Sequence, residues 1–250
     1  MKTLLFYLAF LMVSFSLYGQ DESKNQMVDI DEIVVSPPRF TGTINSISMF
    51  NTDNMSLIKK HLYENVECPD RALQSGLEGT EVISFVVTPE GNLTDFEIVN
   101  SVCREIDKEV IDVLKRTNGM WLPGFNNGKP ISMEQEISMA FGNSNTNSIV
   151  KHFKEMATKY YCKANDELLT EHRPQKALKF YNKGIVYLPN DKSLLLLRGI
   201  CNYELGDAES ARRDWDRIIE LGGIDPYPYE LSETKGYSEM MEMLAKNQDR

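Results

Sequence analysis

The sequence has few of the residues and motifs on which enzymes and metal sites depend. It contains only three histidines and four cysteines among 250 residues, and neither type follows the spacing of a metal motif. Phosphate-binding loops, nucleophile elbows and zinc-protease motifs do not occur in it. His61, His152 and His172 fall in different predicted helices, without a nucleophile pattern nearby. We therefore expect no catalysis, no metal site and no small-molecule cofactor.

Basic residues are scarce relative to acidic ones. The 27 Lys and Arg residues are outnumbered by 37 Asp and Glu residues, which gives a formal net charge of −10. The basic residues are scattered along the chain rather than clustered, so the sequence predicts neither a nucleic-acid partner nor binding to an anionic lipid surface. A hydrophobic content of 42% favours a folded core over a disordered chain.

A long apolar run is absent except near the N-terminus. Residues 4–18 are almost entirely apolar, follow Lys2 and precede the small residue Gly19. The run is shorter than the roughly 20 residues that a membrane-spanning helix needs. We interpret residues 1–19 as a signal peptide that exports the chain to the periplasm, where it meets a membrane only through a partner. The alternative is an uncleaved segment that anchors the chain in the inner membrane.

The remaining chain divides into two predicted domains of an α+β fold. Residues 20–48 are polar and poorly periodic, which predicts a linker, and residues 143–150 form a second, Asn-rich linker. Residues 49–142 read as helix, β-hairpin, helix and strand, which predicts a three-stranded antiparallel sheet with two to three helices. The hairpin comprises residues 80–100, and the last strand comprises residues 131–141. Helical periodicity dominates residues 151–250.

The helical region contains a repeat of 34 residues. Three pairs of residues are separated by this distance: Asn165 and Gly199, Ala177 and Ala211, and Tyr181 and Trp215. Small residues let two helices approach closely, and an aromatic four positions later fills the groove beside them. The pattern is typical of tetratricopeptide repeats. It predicts repeats over residues 158–191 and 192–225, followed by a capping helix, and such an array offers a concave surface for a partner protein.

A set of motifs follows in order along the first predicted domain. The residues that carry it are Pro69, Ala72, Gly76, Gly79, Gly91, Trp121, Pro123 and Gly124. Together they resemble the C-terminal domain of the TonB energy transducers, in the form common in Bacteroidetes. The first departure from the family pattern is Cys68, which stands where the family has an aromatic residue.

The resemblance implies that the last strand of the sheet is exposed and pairs with an extended partner peptide. The residues of this peptide-binding edge strand are Ile131, Ser132, Met133, Glu134, Gln135, Glu136, Ile137, Ser138 and Met139. We expect the acidic pair Glu134 and Glu136 to repel an acidic peptide and to deter unwanted strand pairing. Residues 31–36 resemble the Ton box, the short peptide by which outer-membrane receptors engage TonB, and an ordinary linker or edge strand is the alternative.

The resemblance leaves three functions open. A TonB transducer needs an inner-membrane anchor and a long Pro-rich spacer, whereas residues 20–48 contain only Pro37 and Pro38. We therefore predict a periplasmic adaptor that binds an envelope protein or an outer-membrane receptor peptide. A component of TonB-dependent transport and a scaffold of the peptidoglycan or of a secretion system are the alternatives.

The four cysteines belong to two predicted environments. Cys68 and Cys103 fall in one predicted domain, and an exported chain allows a disulfide between them. Cys162 and Cys201 lie within apolar helical patterns, so we expect both to be buried as small hydrophobic residues.

Overall fold

A computed structural model describes residues 34–42, 56–69, 72, 74–142, 146–223 and 235–248. The predicted signal peptide over residues 1–19 lies outside the described residues. The same holds for residues 20–33, which include the first part of the Ton-box-like segment.

The first half of the described chain is an antiparallel sheet packed against helices. Helix α1 comprises Leu57–Asn65, strands β3 and β4 comprise Gly79–Val87 and Leu93–Asn100, and helix α2 comprises Arg104–Lys115. Strand β8, Met133–Phe141, completes a three-stranded sheet in the order β4-β3-β8. The predicted hairpin, the helices and the last strand are therefore present, and the α+β class with its three-stranded sheet is confirmed.

The core of this half follows from the spacing of apolar residues along its helices and strands. Ile106, Val110 and Leu114 lie on one face of α2 and are buried, as a helical spacing of three to four residues predicts. Alternate residues of β3, among them Ile83 and Phe85, face this helix and are buried in the same cluster.

Five short strands surround the sheet, and two of them come from the predicted linker. They are β1 (Val35–Ser36), β2 (Arg39–Phe40), β5 (Trp121–Leu122), β6 (Gly124–Asn126) and β7 (Lys129–Ile131). Strand β1 pairs with β6, and β2 pairs with β5. Phe40 is only 4% exposed and lies 5.4 Å from the Trp121 ring. Residues 34–42 are thus part of the folded sheet region, because Phe40 fills its core.

The second half is helical, as predicted. Its helices are α3 (Thr146–Asn165), a π-helical turn (Asp166–Thr170), α4 (Pro174–Tyr187), α5 (Lys192–Glu204), α6 (Ala208–Glu220) and α7 (Lys235–Gln248). Side-chain caps explain where α5 and α6 begin. The side chains of Asp191 and Asp207 accept hydrogen bonds from the amides of Leu194 and Ser210, respectively. None of the described helices is both long and apolar enough to cross a bilayer.

Candidate protein-interaction surface

The predicted peptide-binding strand is divided in the structure. Ile131 ends β7, Ser132 interrupts the pairing, and β8 begins only at Met133. Ile131 pairs with Gly124 of β6, whereas Met133 pairs with Val87 of β3. The expectation of one continuous strand over residues 131–141 is therefore wrong in its first two residues, because the strand changes its partner at Ser132.

Strand β8 is an outer strand of the three-stranded sheet, and one of its outward amides is already bonded. The amide of Ala140 donates to the hydroxyl of Tyr63 in α1 over 3.2 Å. Because amides alternate along an antiparallel strand, the amides of Glu134, Glu136 and Ser138 also point away from β3. The ammonium of Lys59 donates to the Ser138 hydroxyl at 3.2 Å. Helix α1 therefore covers the C-terminal half of this edge.

The N-terminal half of β8 is more open. Glu134 and Glu136 are exposed, whereas Ile137 and Met139 are 5% and 2% exposed and belong to the core. The side-chain amide of Gln135 donates to the outward carbonyl of Glu134 over 2.7 Å. A side chain on the surface can exchange this bond for one to a partner peptide. The part of β8 that remains accessible to an extended peptide is Met133 to Glu136.

The acidic pair has internal partners in the structure. Glu134 accepts a hydrogen bond of 2.5 Å from the Ser84 hydroxyl, within the sheet. Glu136 accepts from the Asn190 side-chain amide at 2.9 Å and forms an ion pair with Arg217 of α6. Their carboxylates therefore point towards the helical half, not outward along the free edge. The expectation that both acids confront an arriving peptide is not what the structure shows.

Arg217 joins the two halves of the protein. Its guanidinium contacts Glu136, Asn190 and Glu220, and the side chain is only 17% exposed. Burial opposes the charge, but the bonds to Glu220 and Glu136 outweigh burial and raise the pKa of Arg217 above its ordinary value. The ion pair thus links β8 of the sheet half to α6 of the helical half.

A second contact between the halves surrounds Glu78. This carboxylate lies 3.1 Å from Nε2 of His152 and accepts a hydrogen bond of 3.0 Å from the Tyr187 hydroxyl. Two residues further, the Thr80 hydroxyl donates to the Tyr187 carbonyl over 2.7 Å. The bond with Glu78 contributes to the rise in the pKa of Tyr187 to about 12, after the larger effect of burial. The sheet and the helices are therefore fixed to each other at two separate places.

Several of the motif residues are placed by close backbone packing. A side chain at Gly91 would lie 2.3 Å from the Trp121 carbonyl, and the φ angle of Gly91 is +79°, so only glycine fits. A side chain at Gly79 would lie 2.8 Å from Val186, in the contact with the helices, and one at Gly124 would lie 2.9 Å from Met133. These residues support the fold rather than form a binding site.

The other motif residues serve the same purpose. The indole of Trp121 donates to the Thr117 hydroxyl over 2.9 Å in the core, Ala72 is 2% exposed, and Gly76 has a φ angle of +59°. The carbonyl of Pro69 accepts from the Ala72 amide at 2.9 Å, and Pro123 lies between β5 and β6.

The six predicted repeat residues pack in two equivalent sets. Ala177 and Ala211 are fully buried at corresponding points of α4 and α6. In the first set, the Tyr181 hydroxyl donates to the Asn165 side chain over 2.7 Å. In the second set, Trp215 lies against Gly199, where a Cβ would be 2.3 Å from the indole nitrogen. The side chain of Asn165 thus bonds the smaller aromatic of the first set, whereas Gly199 leaves room for the larger indole of the second set.

The thiols have different environments. Cys68 and Cys103 are free and half-buried; burial raises the pKa of the Cys68 thiol, with a smaller contribution from neighbouring Cys103. Their disulfide stays a prediction. Cys201 is buried, as expected, and burial raises its pKa to about 12. Cys162 is exposed, so the expectation of burial is wrong for it: its position on α3 faces solvent.

Two buried acids, Glu81 and Asp107, were not predicted from the sequence. Glu81 is 1% exposed on β3 and accepts a hydrogen bond of 2.9 Å from the Val102 amide, while its other oxygen has no described partner. Burial raises the pKa of Glu81 to about 8, with smaller contributions from Asp107. Asp107, in the first turn of α2, is 8% exposed and accepts from the Ser101 hydroxyl at 2.8 Å. The one available signal was an acid within an otherwise apolar alternating strand.

A cleft of about 710 Å³ separates α5 and α6 from one face of the sheet. This face carries Ser84 and is opposite to the face that packs against α2. Ser84, Glu97 and Glu134 line the cleft from the sheet, and Arg198 and Asp214 line it from the helices. Arg198 and Asp214 form an ion pair over 2.5 Å in which Asp214 is nearly buried. Burial raises the pKa of Asp214 even though the Arg198 bonds oppose the shift.

Comparison with known proteins identifies part of the chain. Residues 64–142 match the family described as the Gram-negative bacterial TonB protein C-terminal. A solution structure of the Helicobacter pylori TonB C-terminal domain (residues 179–285) is 20% identical, with a TM-score of 0.30, and covers 35% of this chain and 78% of that one. A second (residues 194–285) is 21% identical, with a TM-score of 0.28, and covers 34% and 88%. The search of curated proteins found no match. The family match confirms the TonB resemblance over residues 64–142, whereas the Bacteroidetes form and the fusion to tetratricopeptide repeats stay predictions.

Proposed function

We propose that this protein is a periplasmic adaptor of the cell envelope that binds another envelope protein without catalysis. The observation that carries the proposal is the match of residues 64–142 to the TonB C-terminal family, in a chain whose β8 is an outer strand. Outer strands with free backbone groups bind extended peptides by strand addition. The proposed partner is an envelope protein or an outer-membrane receptor with such a peptide.

The accessible half of β8 is the proposed binding edge. The outward amides of Glu134 and Glu136 supply the backbone bonds, and Gln135 gives up its bond to the Glu134 carbonyl when the peptide arrives. Residues beyond Ser138 are excluded from the edge because Tyr63 and Lys59 of α1 already contact them. The proposed ligand is therefore short, since about four residues of β8 pair with it.

The helical half supplies the proposed second surface. Helices α4 and α6 begin at Pro174 and Ala208, 34 residues apart, and the paired packing of Tyr181 and Trp215 supports two tetratricopeptide repeats. Contacts through Glu78 and Arg217 hold this surface against the sheet. We expect the adaptor to present both surfaces in one fixed arrangement.

Photocrosslinking in the source bacterium tests the adaptor function. A photoreactive amino acid replaces Glu134 in β8, and the matched control replaces Lys151, whose side chain is 81% exposed on α3. We expect irradiation to join the Glu134 variant to an envelope protein that the Lys151 variant does not capture. Crosslinks equal in partner and yield at both positions would contradict the proposal. Sequencing of the mature N-terminus tests export, since a chain that begins near Gln20 agrees with a periplasmic adaptor.

A further inference from the structure

The sheet has a second outer strand, β4, on the side opposite to β8. The outward amide of Ala140 fixes the alternation in β8, and Ala140 is registered with Thr80. The backbone groups of Thr80 and Ser84 therefore point towards β4. Ser84 is registered with Glu97 and Ile83 with Ile98, so the groups of Glu97 face β3 and those of Ile98 face outward; the register of β4 shifts on either side of these two pairs. Among the described residues, these outward groups have no hydrogen-bond partner.

The edge of β4 lacks the protection that β8 has. Tyr63, Lys59 and Gln135 cap or cover β8, whereas β4 exposes apolar side chains: Ile98 is 43% exposed and Val99 is 37% exposed. Natural sheets usually shield an edge with charge, a bulge, proline or a covering element. Strand β4 has acids at Asp95 and Glu97 and two register shifts against β3, but the outward groups of Ile98 have no described partner. An uncovered edge with exposed apolar side chains allows another strand to add to the sheet.

The cleft lies directly beside this edge. Glu97, Ile98, Val99 and Asn100 of β4 contribute to its lining. Glu97 is registered with Ser84, so its side chain lies on the same face of the sheet as Ser84, which is the face that lines the cleft. A peptide side chain that lies beside Glu97 would therefore enter the cleft, and its immediate neighbours in the peptide would point towards the opposite face.

The charges of the cleft indicate the chemistry of those side chains. Its three arginines have acidic partners: Arg198 pairs with Asp214, Arg213 with Glu209, and Arg217 with Glu136. Its carboxylates exceed its arginines, because Glu97 and Asp216 also line it. Neither of these two forms an ion pair or a hydrogen bond with a described residue, although the charge of Arg212 also acts on Asp216. A basic side chain in the cleft would complement them.

We propose that the β4 edge and the adjoining cleft bind an extended peptide in which apolar and basic residues alternate. Its backbone pairs with Ile98, its Lys or Arg side chains enter the cleft towards Glu97 and Asp216, and its apolar side chains lie on the opposite side of the strand. The inference deepens the proposed adaptor function, on which it rests, by naming a second edge and the chemistry of its partner.

Two other occupants fit the edge less well. A second copy would align β4 with itself and bring Asp95 and Glu97 of both chains together, where like charges repel. The chain's own segment at residues 29–32 contains Asp29, Asp31 and Glu32, so it would add acids to an acidic cleft. Charge therefore favours a basic partner over either one.

A synthetic peptide of alternating lysine and valine, six residues long, tests the inference on the full chain. An acidic control peptide carries glutamate in place of lysine. We expect titration calorimetry to show that the lysine peptide binds at least tenfold more tightly than this control peptide. Hydrogen exchange should slow at the amide of Ile98 when the lysine peptide is present. Equal binding of both peptides, or protection confined to β8, would overturn the inference.

Proline variants separate the two edges. Ile98→Pro removes an outward amide of β4 without affecting the ladder to β3, and Glu134→Pro does the same on β8. We expect Ile98→Pro, but not Glu134→Pro, to lower the affinity for the lysine peptide at least tenfold. We expect Glu97→Gln to lower this affinity about threefold. Circular dichroism checks that each variant folds. Loss of binding only in Glu134→Pro would refute the β4 site while leaving the adaptor function in place. Absence of peptide binding at either edge, together with a failed crosslink at Glu134, would refute both.

Discussion

The packing of Gly199 against Trp215 predicts that alanine at position 199 lowers the stability of the protein. Crowding of the indole lowers the free energy of unfolding, whereas the higher helix propensity of alanine raises it. Alanine at position 199 would place its Cβ 2.3 Å from the indole nitrogen and 2.9 Å from Cδ1 of Trp215. Both atoms belong to a rigid ring that is 1% exposed, so the ring or the helices must shift. Overpacking of this kind costs about 1–3 kcal/mol, while the helix propensity of alanine returns up to about 1 kcal/mol. We expect Gly199→Ala to lower the free energy of unfolding by about 1–2 kcal/mol.

Urea unfolding followed by circular dichroism measures this change. Trp121 is the other tryptophan, so its fluorescence in a Trp215→Tyr background follows the sheet half alone. The double variant Gly199→Ala/Trp215→Tyr should cost at least 1 kcal/mol less than the sum of the single variants, because tyrosine leaves room for the added methyl group. Gly184→Ala is the matched control, since its Cβ would meet only the flexible end of Leu194, at 2.9 Å. A Gly199→Ala variant more stable than the natural chain, or additive effects in the double variant, would refute the packing described here.

Three other perturbations have expected outcomes. Glu136→Gln leaves Arg217 with one acidic partner fewer, and we expect a loss of about 1–2 kcal/mol with faster hydrogen exchange in β8; unchanged exchange would show that the contact does not hold the halves together. Glu81 has a folded pKa raised from 4.5 to about 8, so the folded state binds a proton that the unfolded state has lost between these values, and stability falls as pH rises through that window. Glu81→Gln should flatten this fall, and a parallel pH profile of the variant would contradict the assignment. Maleimide should label exposed Cys162 within minutes and buried Cys201 only on unfolding, as mass spectrometry of digested protein would show; equal rates would be inconsistent with their burial.

Much of the fold was predictable because it depends on local patterns. The alternation of Val82 to Val87 and the turn at Gly91 predict the hairpin, and the spacing of Ile106 and Val110 predicts α2. The strand over residues 131–141 was predicted only in part. Its change of partner at Ser132 depends on β6, which residue alternation does not reveal.

The candidate binding surfaces were less predictable than the elements. The sequence identified β8 as an outer strand through the TonB resemblance, but the second open edge at β4 has no local signal. Glu134 and Glu136 read as exposed acids on a strand, and only the folded structure supplies their partners: Ser84 on the neighbouring strand β3 and Arg217 on the docked helix α6. The burial of Glu81 likewise depends on α2 folding over β3.

The sequence by itself determined the hairpin, helix α2, the helical second half, the 34-residue repeat and the resemblance over the TonB-like region, but not the short strands β1 and β2 in the predicted linker. These features arise from side-chain periodicity and turn residues, which act over a few neighbours. The tertiary structure decided which edges stay open. Tyr63 reaches Ala140, Phe40 enters the core beside Trp121, and Arg217 reaches Glu136 only when segments distant in the chain pack together. Such contacts depend on the register and the docking of whole elements, which no short stretch of sequence specifies.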